Sequence, residues 1–303
     1  MRKNHRGFLK KTCWILALCT APFSLWAAQI HLNDSAGAFH RQILQDRGRF
    51  QLREQVILQK AGKQGRSGSN QYVEYFYPRG LLAGTISNFP KNPDLRLGMG
   101  YGYLKTTERF QGHAAKTKTR SHGLQMFAAY TPGVWQFSAQ AGSVWARENL
   151  YATGIPSARI HDRNFFGGAE MGRYFALGDN FLTFYPHLGV SYTDYRKSAY
   201  GGVPKSRERV PEGEAGLGIY SFLTESILLS ADFTWRHEFE DRGEVSIFGG
   251  KISRQGADRN TGAVHVSVAC YTSPDFALYV QYDGVFGEKN RRHSVGVGMS
   301  HNF

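Results

Sequence analysis

A regular alternation of short and long connections between segments of alternating hydrophobicity constrains this chain more than any other feature. The segments are roughly ten residues long, the length that a strand needs to cross a bilayer. The short connections, which contain mostly turn-forming residues, lie at 90–94, 131–133, 177–180, 223–226 and 272–275. The long connections are polar and lie near 106–121, 147–163, 196–210, 240–260 and 286–292. This arrangement is typical of an antiparallel β-barrel in an outer membrane.

Within the segments, apolar residues recur at every second position. In 95–103, for example, Leu97, Met99 and Tyr101 alternate with glycines. Because successive side chains of a strand point to opposite faces, we expect the apolar set to face lipid and the other set to face the lumen. The predicted strands are 69–77, 80–88, 95–105, 121–130, 134–146, 164–176, 181–195, 211–222, 227–239, 261–271, 276–285 and 293–303. The predicted fold is therefore all-β, a 12-stranded antiparallel transmembrane β-barrel, with the even strand number expected of a single-chain bacterial barrel.

A soluble β-sandwich would show the same alternation, with the apolar face as its core. Composition does not separate the two folds, since 41% apolar residues and a mean hydropathy of −0.41 also suit a soluble protein. The regular short and long connections favour the membrane, and so do aromatic residues near the ends of the predicted strands, where interfacial girdles lie. An export signal at the N-terminus points the same way.

Residues 1–28 have the pattern of a secretory signal peptide. Basic residues at the start precede an apolar run from Cys13 to Leu25, and cleavage is expected after Ala27 or Ala28. A retained anchor helix is the alternative, but the apolar run is short for a membrane span. Removal of 1–28 leaves Cys270 as the only cysteine and lowers the formal net charge from +13 to +8. The mature chain would then contain no internal disulfide.

A leader, 29–66, separates the signal peptide from the predicted barrel, 67–303, and lacks strand periodicity. Asp34 and Ser35 are candidate caps for a helix that ends at Gly62. Such a helix would be about 38 Å long and is too polar to cross lipid. If the last strand ends in the periplasm, the first strand starts there, so the helix lies in the periplasm or descends through the lumen. A surface or unstructured leader and a helix threaded through the lumen both remain open.

Ionisable residues on the expected lumenal face form a candidate polar network. Asp232, Arg236 and Glu238 alternate along one predicted strand, so they can pair with one another or with groups on neighbouring strands. Three residues of other strands are expected to join them, namely Glu170, Glu214 and His265. The chain contains no metal-ligand motif of the HExxH or CxxC type, and no cofactor is expected.

Five segments resemble the translocator β-domain of classical autotransporters, the type V secretion family. They are RLGMGYGYLKT, FYPHLGVSYTDY, GEAGLGIYSFL, LLSADFTWRHEFED and SVGVGMSHNF. The resemblance covers approximately 70–303 and rests on the order and spacing of the segments. It implies a 12-stranded barrel with a helix inserted in the pore, located in the Gram-negative outer membrane. It also implies passage past periplasmic chaperones to the barrel-assembly machinery.

The end of the chain resembles the C-terminal insertion signal of that family. Val295, Val297 and Met299 supply apolar side chains at alternate positions, and Phe303 supplies the terminal aromatic residue. His301 departs from the pattern, since an apolar or aromatic residue is usual there. The resemblance implies that these four matching residues are recognised by the assembly machinery.

The resemblance implies a secretion function without enzymatic activity. About 40 residues precede the first strand after signal cleavage, too few for the extended β-helix that such barrels usually export. The passenger is vestigial, the barrel works alone, or the gene is a fragment. The first hypothesis is a monomeric barrel that translocates or displays a very short N-terminal segment. The second is a stand-alone structural, adhesive or channel-forming barrel that acts through its extracellular loops.

A third hypothesis is an outer-membrane protease, because 235–241 (WRHEFED) places a histidine and acidic residues at the upper rim. Some autotransporters also cut off their passenger within the lumen, at an asparagine junction. Asn33-Asp34 is a candidate junction, but it lies before the helix and not within it. Simple pairing of charges in the lumen explains the acidic residues as well.

The predicted long connections are basic and carry a net charge of +12 over 105–120, 146–163, 196–210, 241–259 and 287–292. One interpretation is a solvated rim that needs no partner. The other is attraction to the phosphates of outer-leaflet lipopolysaccharide, which salt would screen. No nucleic-acid partner is expected.

Overall fold

The protein is described by a computed structural model, which covers residues 36–61, 68–77, 80–89, 91–109, 115–152, 155–178, 182–199, 205–239, 245–247, 250–252, 258–273, 275–287 and 291–302. The predicted signal peptide, 1–28, the candidate junction Asn33-Asp34 and the terminal Phe303 lie outside the described residues. No helix among the described residues has the length and hydropathy of a membrane span.

Twelve antiparallel strands form a closed barrel in which neighbours in the chain are neighbours in the sheet. The barrel strands are β1 (Gly68–Tyr77), β2 (Gly80–Phe89), β3 (Asn92–Arg109), β4 (Ala115–Tyr130), β5 (Trp135–Ala152), β6 (Ile155–Arg173), β8 (Leu182–Lys197), β9 (Ser206–Thr224), β10 (Ile227–Glu238), β13 (Asn260–Ser273), β14 (Phe276–Phe286) and β15 (Arg291–Asn302). Pairing of β1 with β15, for example Val73 opposite Met299, closes the barrel and removes every open edge. The predicted 12-stranded barrel is confirmed.

Three short strands stand outside this count. Strand β7 (Phe175–Leu177) continues β6 beyond Tyr174 and pairs with the start of β8. Strands β11 (Val245–Ile247) and β12 (Gly250–Ile252) pair with each other in the connection between β10 and β13. They change neither the strand order nor the closure of the barrel.

Two of the five predicted long connections are in fact largely continuations of the strands. The prediction of loops at 106–121 and 147–163 is wrong, because β3 and β4 pair out to Arg109 and Lys116, and β5 and β6 pair beyond Arg147. Apolar alternation stops where the outward face of the sheet no longer contacts lipid, but backbone pairing does not need it. β-branched threonines, which favour strands, carry the hairpin of β3 and β4 outward.

The outward face of the barrel carries the lipid-facing band that the alternation predicts. Met99 is 58% exposed and Met126 is 68% exposed, whereas the residues next to each of them in sequence are small or buried. Val297 is 54% exposed, and Val295 and Met299 share its outward face. Cys270 is also exposed on this side. These side chains are apolar, and a band of exposed apolar side chains around a closed barrel is typical of a lipid-facing surface.

The one helix among the described residues, α1 (Ala36–Lys60), fills the lumen. Its side chains from His40 to Leu58 are buried or nearly so on all sides. One apolar cluster joins Leu44 and Leu52 to wall residues such as Phe127, and a second joins Phe50 and Val56–Leu58 to wall tyrosines. Of the two placements that the sequence leaves open, the lumenal one is therefore correct.

The helix descends from the outer end of the barrel to the periplasmic end. Near its start, His40 Nδ1 lies 2.8 Å from Ser121 Oγ in the outer half of β4. At its end, Lys60 Nζ donates a 2.5 Å hydrogen bond to the carbonyl oxygen of Gly133. Gly133 has a φ of 63° in the short turn between β4 and β5, a conformation that favours glycine. Short turns face the periplasm in such barrels, so α1 runs from the outer half of the lumen at its N-terminus to the periplasmic end at its C-terminus.

Candidate functional site

Three arginines of α1 connect the helix to the barrel wall. Arg47 has no exposed surface, Arg53 is 3% exposed, and Arg49 is similarly buried. Their partners are five wall carboxylates from five strands. We call this set the lumenal ion-pair network: Arg47, Arg49 and Arg53 with Glu74, Glu170, Glu214, Asp232 and Asp283.

Arg47 bridges the two strands that flank β15. Its Nη1 lies 2.8 Å from Glu74 Oε2 on β1, and its Nη2 donates to Asp283 on β14. Both carboxylates have further donors, since Tyr279 Oη donates to Glu74 over 3.0 Å and His265 Nδ1 lies 2.6 Å from Asp283. Buried charges that are paired and hydrogen-bonded in this way avoid the cost of an isolated ion.

Arg53 bridges two wall strands, β6 and β10, that are separated by β8 and β9. Its Nη2 donates a 2.5 Å hydrogen bond to Glu170 on β6, and its Nη1 donates to Asp232 on β10. The two carboxylates also flank His187, which lies 3.4 Å from each. The guanidinium also lies over the Tyr185 ring at 4.9 Å. Two carboxylates therefore bind the edge of the Arg53 guanidinium, and the Tyr185 ring packs on its face.

Arg49 is the third arginine of the network, and beside it Asp46 forms an ion pair in which the helix supplies the negative charge. Arg49 donates to Glu214 on β9 and lies 3.9 Å from Glu170. On the wall, Arg236 donates to Asp46 of the helix and also approaches Glu214, at 3.8 Å. The helix therefore supplies cations to wall carboxylates and one carboxylate to a wall cation.

All six residues of the predicted polar network line the lumen and are buried, but the helix reorganises their partners. Asp232 binds Arg53 of α1. Arg236 binds Asp46 and approaches its cross-strand neighbour Glu214. His265 packs on the Phe50 ring, with centroids 3.8 Å apart. Glu170 also contacts the helix, through Arg53, and Glu238 is buried near the outer end of β10.

Sequence reasoning missed the helix side of the network and two wall carboxylates, Glu74 and Asp283. A signal for them exists in the chain. The helix carries four arginines against Asp46 and Glu54, which leaves an excess of positive charge in a segment too polar for lipid. Carboxylates at inward strand positions need cations to match them, and the surplus arginines are those cations.

Little open space remains beside the helix. Between α1 and strands β10, β13 and β14 the structure contains a cavity of about 30 Å³, bordered by Phe50, Arg53 and His265. That volume holds roughly one water molecule. The side chains of the helix and wall therefore close the lumen at mid-height.

Of the ionisable residues of the predicted rim site, His237 and Glu238 lie on opposite faces of β10. His237 faces outward, where it stacks on Trp235 with centroids 5.7 Å apart and lies 2.9 Å from Asn260 Oδ1. Glu238, the next residue, is buried on the lumenal side. Glu240 and Asp241 lie outside the described residues. In the part of the chain that the structure describes, no three histidine, cysteine or acidic residues are grouped as metal ligands.

Glycines on the wall make room for the outer half of the helix. A Cβ at Gly123 would overlap Leu44 of α1 and come within 3.0 Å of Val144. We expect Gly123→Val to displace α1 and expose its basic residues to trypsin, because packed interiors accept little added volume. Peptide mass mapping after limited trypsin digestion measures this. In the matched variant Gly167→Val, where a Cβ meets only a backbone oxygen at 3.6 Å, α1 should stay protected; equal protection in both variants contradicts the prediction.

Comparison with known proteins agrees with this architecture. Residues 57–283 match the family model described as the autotransporter β-domain. The fold is similar to the translocator domain of the autotransporter NalP from Neisseria meningitidis, with a TM-score of 0.60 and 13% identity over 89% of this chain and 100% of that one. It is also similar to the β-domain of the Bordetella autotransporter BrkA, with a TM-score of 0.53 and 17% identity over 78% and 100%.

A third similar structure is the transport unit of the autotransporter AIDA-I from Escherichia coli, with a TM-score of 0.54 and 10% identity over 78% of this chain and 88% of that one. No curated protein sequence matches the chain. At these identities the solved structures show the fold, and the family match, which spans most of the chain, shows the kinship. The chain belongs to the autotransporter β-domain family and forms a translocator-type β-barrel of the Gram-negative outer membrane.

Proposed function

We propose that this barrel carries the segment preceding α1 to the cell surface and that α1 then closes the lumen. Export by the predicted signal peptide, 1–28, brings the chain to the periplasm, and the barrel inserts in the outer membrane. The role requires no catalysis, in keeping with the separation of His237 from Glu238.

The observation that carries the proposal is the direction of α1. Its first turns lie in the outer half of the lumen, where Arg41 is 3.8 Å from Glu212 and lies over the Tyr195 ring at 5.5 Å. Its last turn contacts the periplasmic turn through Lys60. A chain that enters the lumen from the outside and leaves it on the periplasmic side has its preceding segment at the outer mouth.

The lumenal ion-pair network supports the second half of the proposal. The helix is held by carboxylates on β1, β6, β9, β10 and β14, which line the side of the wall that runs from β6 through β10 to β1. Such contacts form together only when the helix is at one height and one rotation, because each guanidinium needs its own partner. The network therefore defines an end point for movement of the chain through the barrel.

An epitope inserted after His31 is expected to bind antibody on intact cells, because this position precedes α1. The matched control is the same epitope inserted after Glu225, in the turn between β9 and β10 at the periplasmic end, which should bind only after permeabilisation. Whole-cell flow cytometry measures both. An epitope at His31 that is hidden on intact cells, in a barrel that fractionates with the outer membrane, would contradict surface delivery.

A further inference from the structure

A row of basic side chains crosses four neighbouring strands on the outward face of the barrel. Lys105 on β3 is directly opposite Arg120 on β4, Arg120 is opposite Arg147 on β5, and Arg147 is opposite His161 on β6. All four side chains are exposed. We call the three cations Lys105, Arg120 and Arg147 the cation row. One step further out, Lys118 and Arg159 add two exposed cations to the same face.

The cation row is costly to the sheet by itself. Neighbouring strands are about 4.8 Å apart, and like charges directly opposite one another destabilise a strand pair. No acidic residue occupies an outward position of β3, β4, β5 or β6 in the described ranges. Lys105, Arg120 and Arg147 form no ion pair with another described residue. Within the described residues nothing neutralises the cation row, so a bound anion would relieve its repulsion.

The acidic residues of these strands face the lumen. Glu148 and Asp162, next in sequence to Arg147 and His161, are buried. They lie 3.6 Å and 3.8 Å from the buried Lys197 Nζ. On β3–β6 charge is thus sorted by strand face at the outer end, with carboxylates turned inward and cations turned outward, and Lys197 of β8 is the inward cation that meets two of those carboxylates. A merely solvated rim would not require this separation.

The height of the cation row corresponds to lipid headgroups. Two residues below it along the strands, Tyr103, His122, Trp145 and Arg163 form the next outward row. Arg163 lies over the Phe165 ring at 4.6 Å and over the Trp145 ring at 5.9 Å. Aromatic girdles mark the boundary between hydrocarbon and headgroups. The cation row lies about 7 Å beyond this girdle along the strands, where phosphates of the outer leaflet lie.

The side chains of this surface also enclose space for a ligand. The cation row, together with Lys118 and Arg159, borders a depression of about 810 Å³, whose other walls include Trp145 and Tyr151. Guanidinium groups match phosphate oxygens in paired hydrogen bonds, and ammonium groups add point charge. An aromatic base with a cationic upper edge suits an amphiphile that has a phosphorylated headgroup.

We propose that the cation row binds the phosphorylated headgroup of an outer-leaflet glycolipid, the lipid A part of lipopolysaccharide. The site depends on the location of the barrel in the outer membrane but not on delivery of the leader. Binding neutralises the cation row and anchors the β3–β6 side of the barrel at a defined depth.

The test compares binding of lipid A to the mature full-length barrel and to a variant with Lys105→Gln, Arg120→Gln and Arg147→Gln. Native mass spectrometry of the barrel in detergent counts bound bisphosphorylated lipid A and, in a parallel arm, lipid A without phosphates. The expected result is at least a roughly tenfold weaker affinity for the phosphorylated form in the triple variant, since each interfacial cation contributes measurably to anionic lipid binding. The parent barrel should bind the form without phosphates equally weakly.

A matched control removes three exposed cations elsewhere on the outer end: Lys205→Gln, Arg209→Gln and Arg291→Gln. It should retain the affinity of the parent. Equal loss in both triple variants, equal binding of the two lipid A forms, or binding of soluble heparin in place of lipid A would overturn the proposal. Heat-modifiable migration and outer-membrane fractionation of each variant show separately whether folding and insertion are intact.

Discussion

Deletion of residues 36–60 is expected to convert a closed barrel into an open channel. The helix fills the lumen, its side chains from His40 to Leu58 are buried or nearly so, and a cavity beside it measures about 30 Å³. Without α1 the polar lumen fills with water, so single-channel conductance in planar bilayers should rise on the order of tenfold or more. The twelve strands should still form the barrel, because their pairing does not involve the helix and water can solvate the freed carboxylates.

The control for this experiment is Lys60→Gln, which removes one contact at the periplasmic end and leaves the lumenal ion-pair network in place. It should conduct like the parent. If the parent and the deletion variant show the same open level, while both migrate as folded barrels, the helix does not close the lumen and the proposed end point of transport fails.

Replacement Arg53→Met is expected to release the helix without unfolding the barrel. The change leaves Glu170 and Asp232 buried without their cation, and removing one partner of a buried ion pair costs about 3–5 kcal/mol. Withdrawal of α1 allows water to reach both carboxylates, so the free-energy cost destabilises the docking of the helix and not the folding of the barrel. We expect frequent channel openings and trypsin cleavage within 36–60, measured by conductance and peptide mapping.

Rescue distinguishes this mechanism from a simple loss of packing. In the triple variant Arg53→Met, Glu170→Gln, Asp232→Asn, the buried charges are gone together, and neutral replacement of a buried ion cluster is often tolerated. The helix should regain protection from trypsin. If the triple variant is as open as Arg53→Met alone, electrostatic pairing does not hold the helix, and shape or the Tyr185 contact is responsible.

Much of the barrel could be predicted from the sequence because its causes are local. The two-residue period of Leu97, Met99 and Tyr101 requires a strand with one apolar face, and closely spaced turns require antiparallel neighbours. The inward position of Asp232 and the outward position of Val297 follow from the same alternation. The extension of β3 to Arg109 could not be predicted in this way, because above the membrane the backbone continues to pair after the apolar signal has ended.

The same reasoning predicted the wall residues of the candidate site but not their partners on the helix. Alternation placed Glu170, Glu214, Asp232, Arg236, Glu238 and His265 on the lumenal face, but it contained no information on what they meet there. Their partners are 165 residues away for Arg49 and Glu214, and 179 for Arg53 and Asp232. Residues this far apart in the chain come together only when the barrel closes around the helix.

By itself, then, the sequence determined the strands, their lipid-facing and lumenal faces and the family, and it offered a helix over 36–60 as one of two alternatives. Each of these depends on residues near one another in the chain or on a repeated pattern. The tertiary structure decided where the helix lies, which way it runs, and that Arg47, Arg49 and Arg53 hold it. It also aligned Lys105, Arg120 and Arg147, since cross-strand register brings together residues that no local pattern connects. Both arrangements arise from closure of the barrel, which fixes all strand neighbours at once.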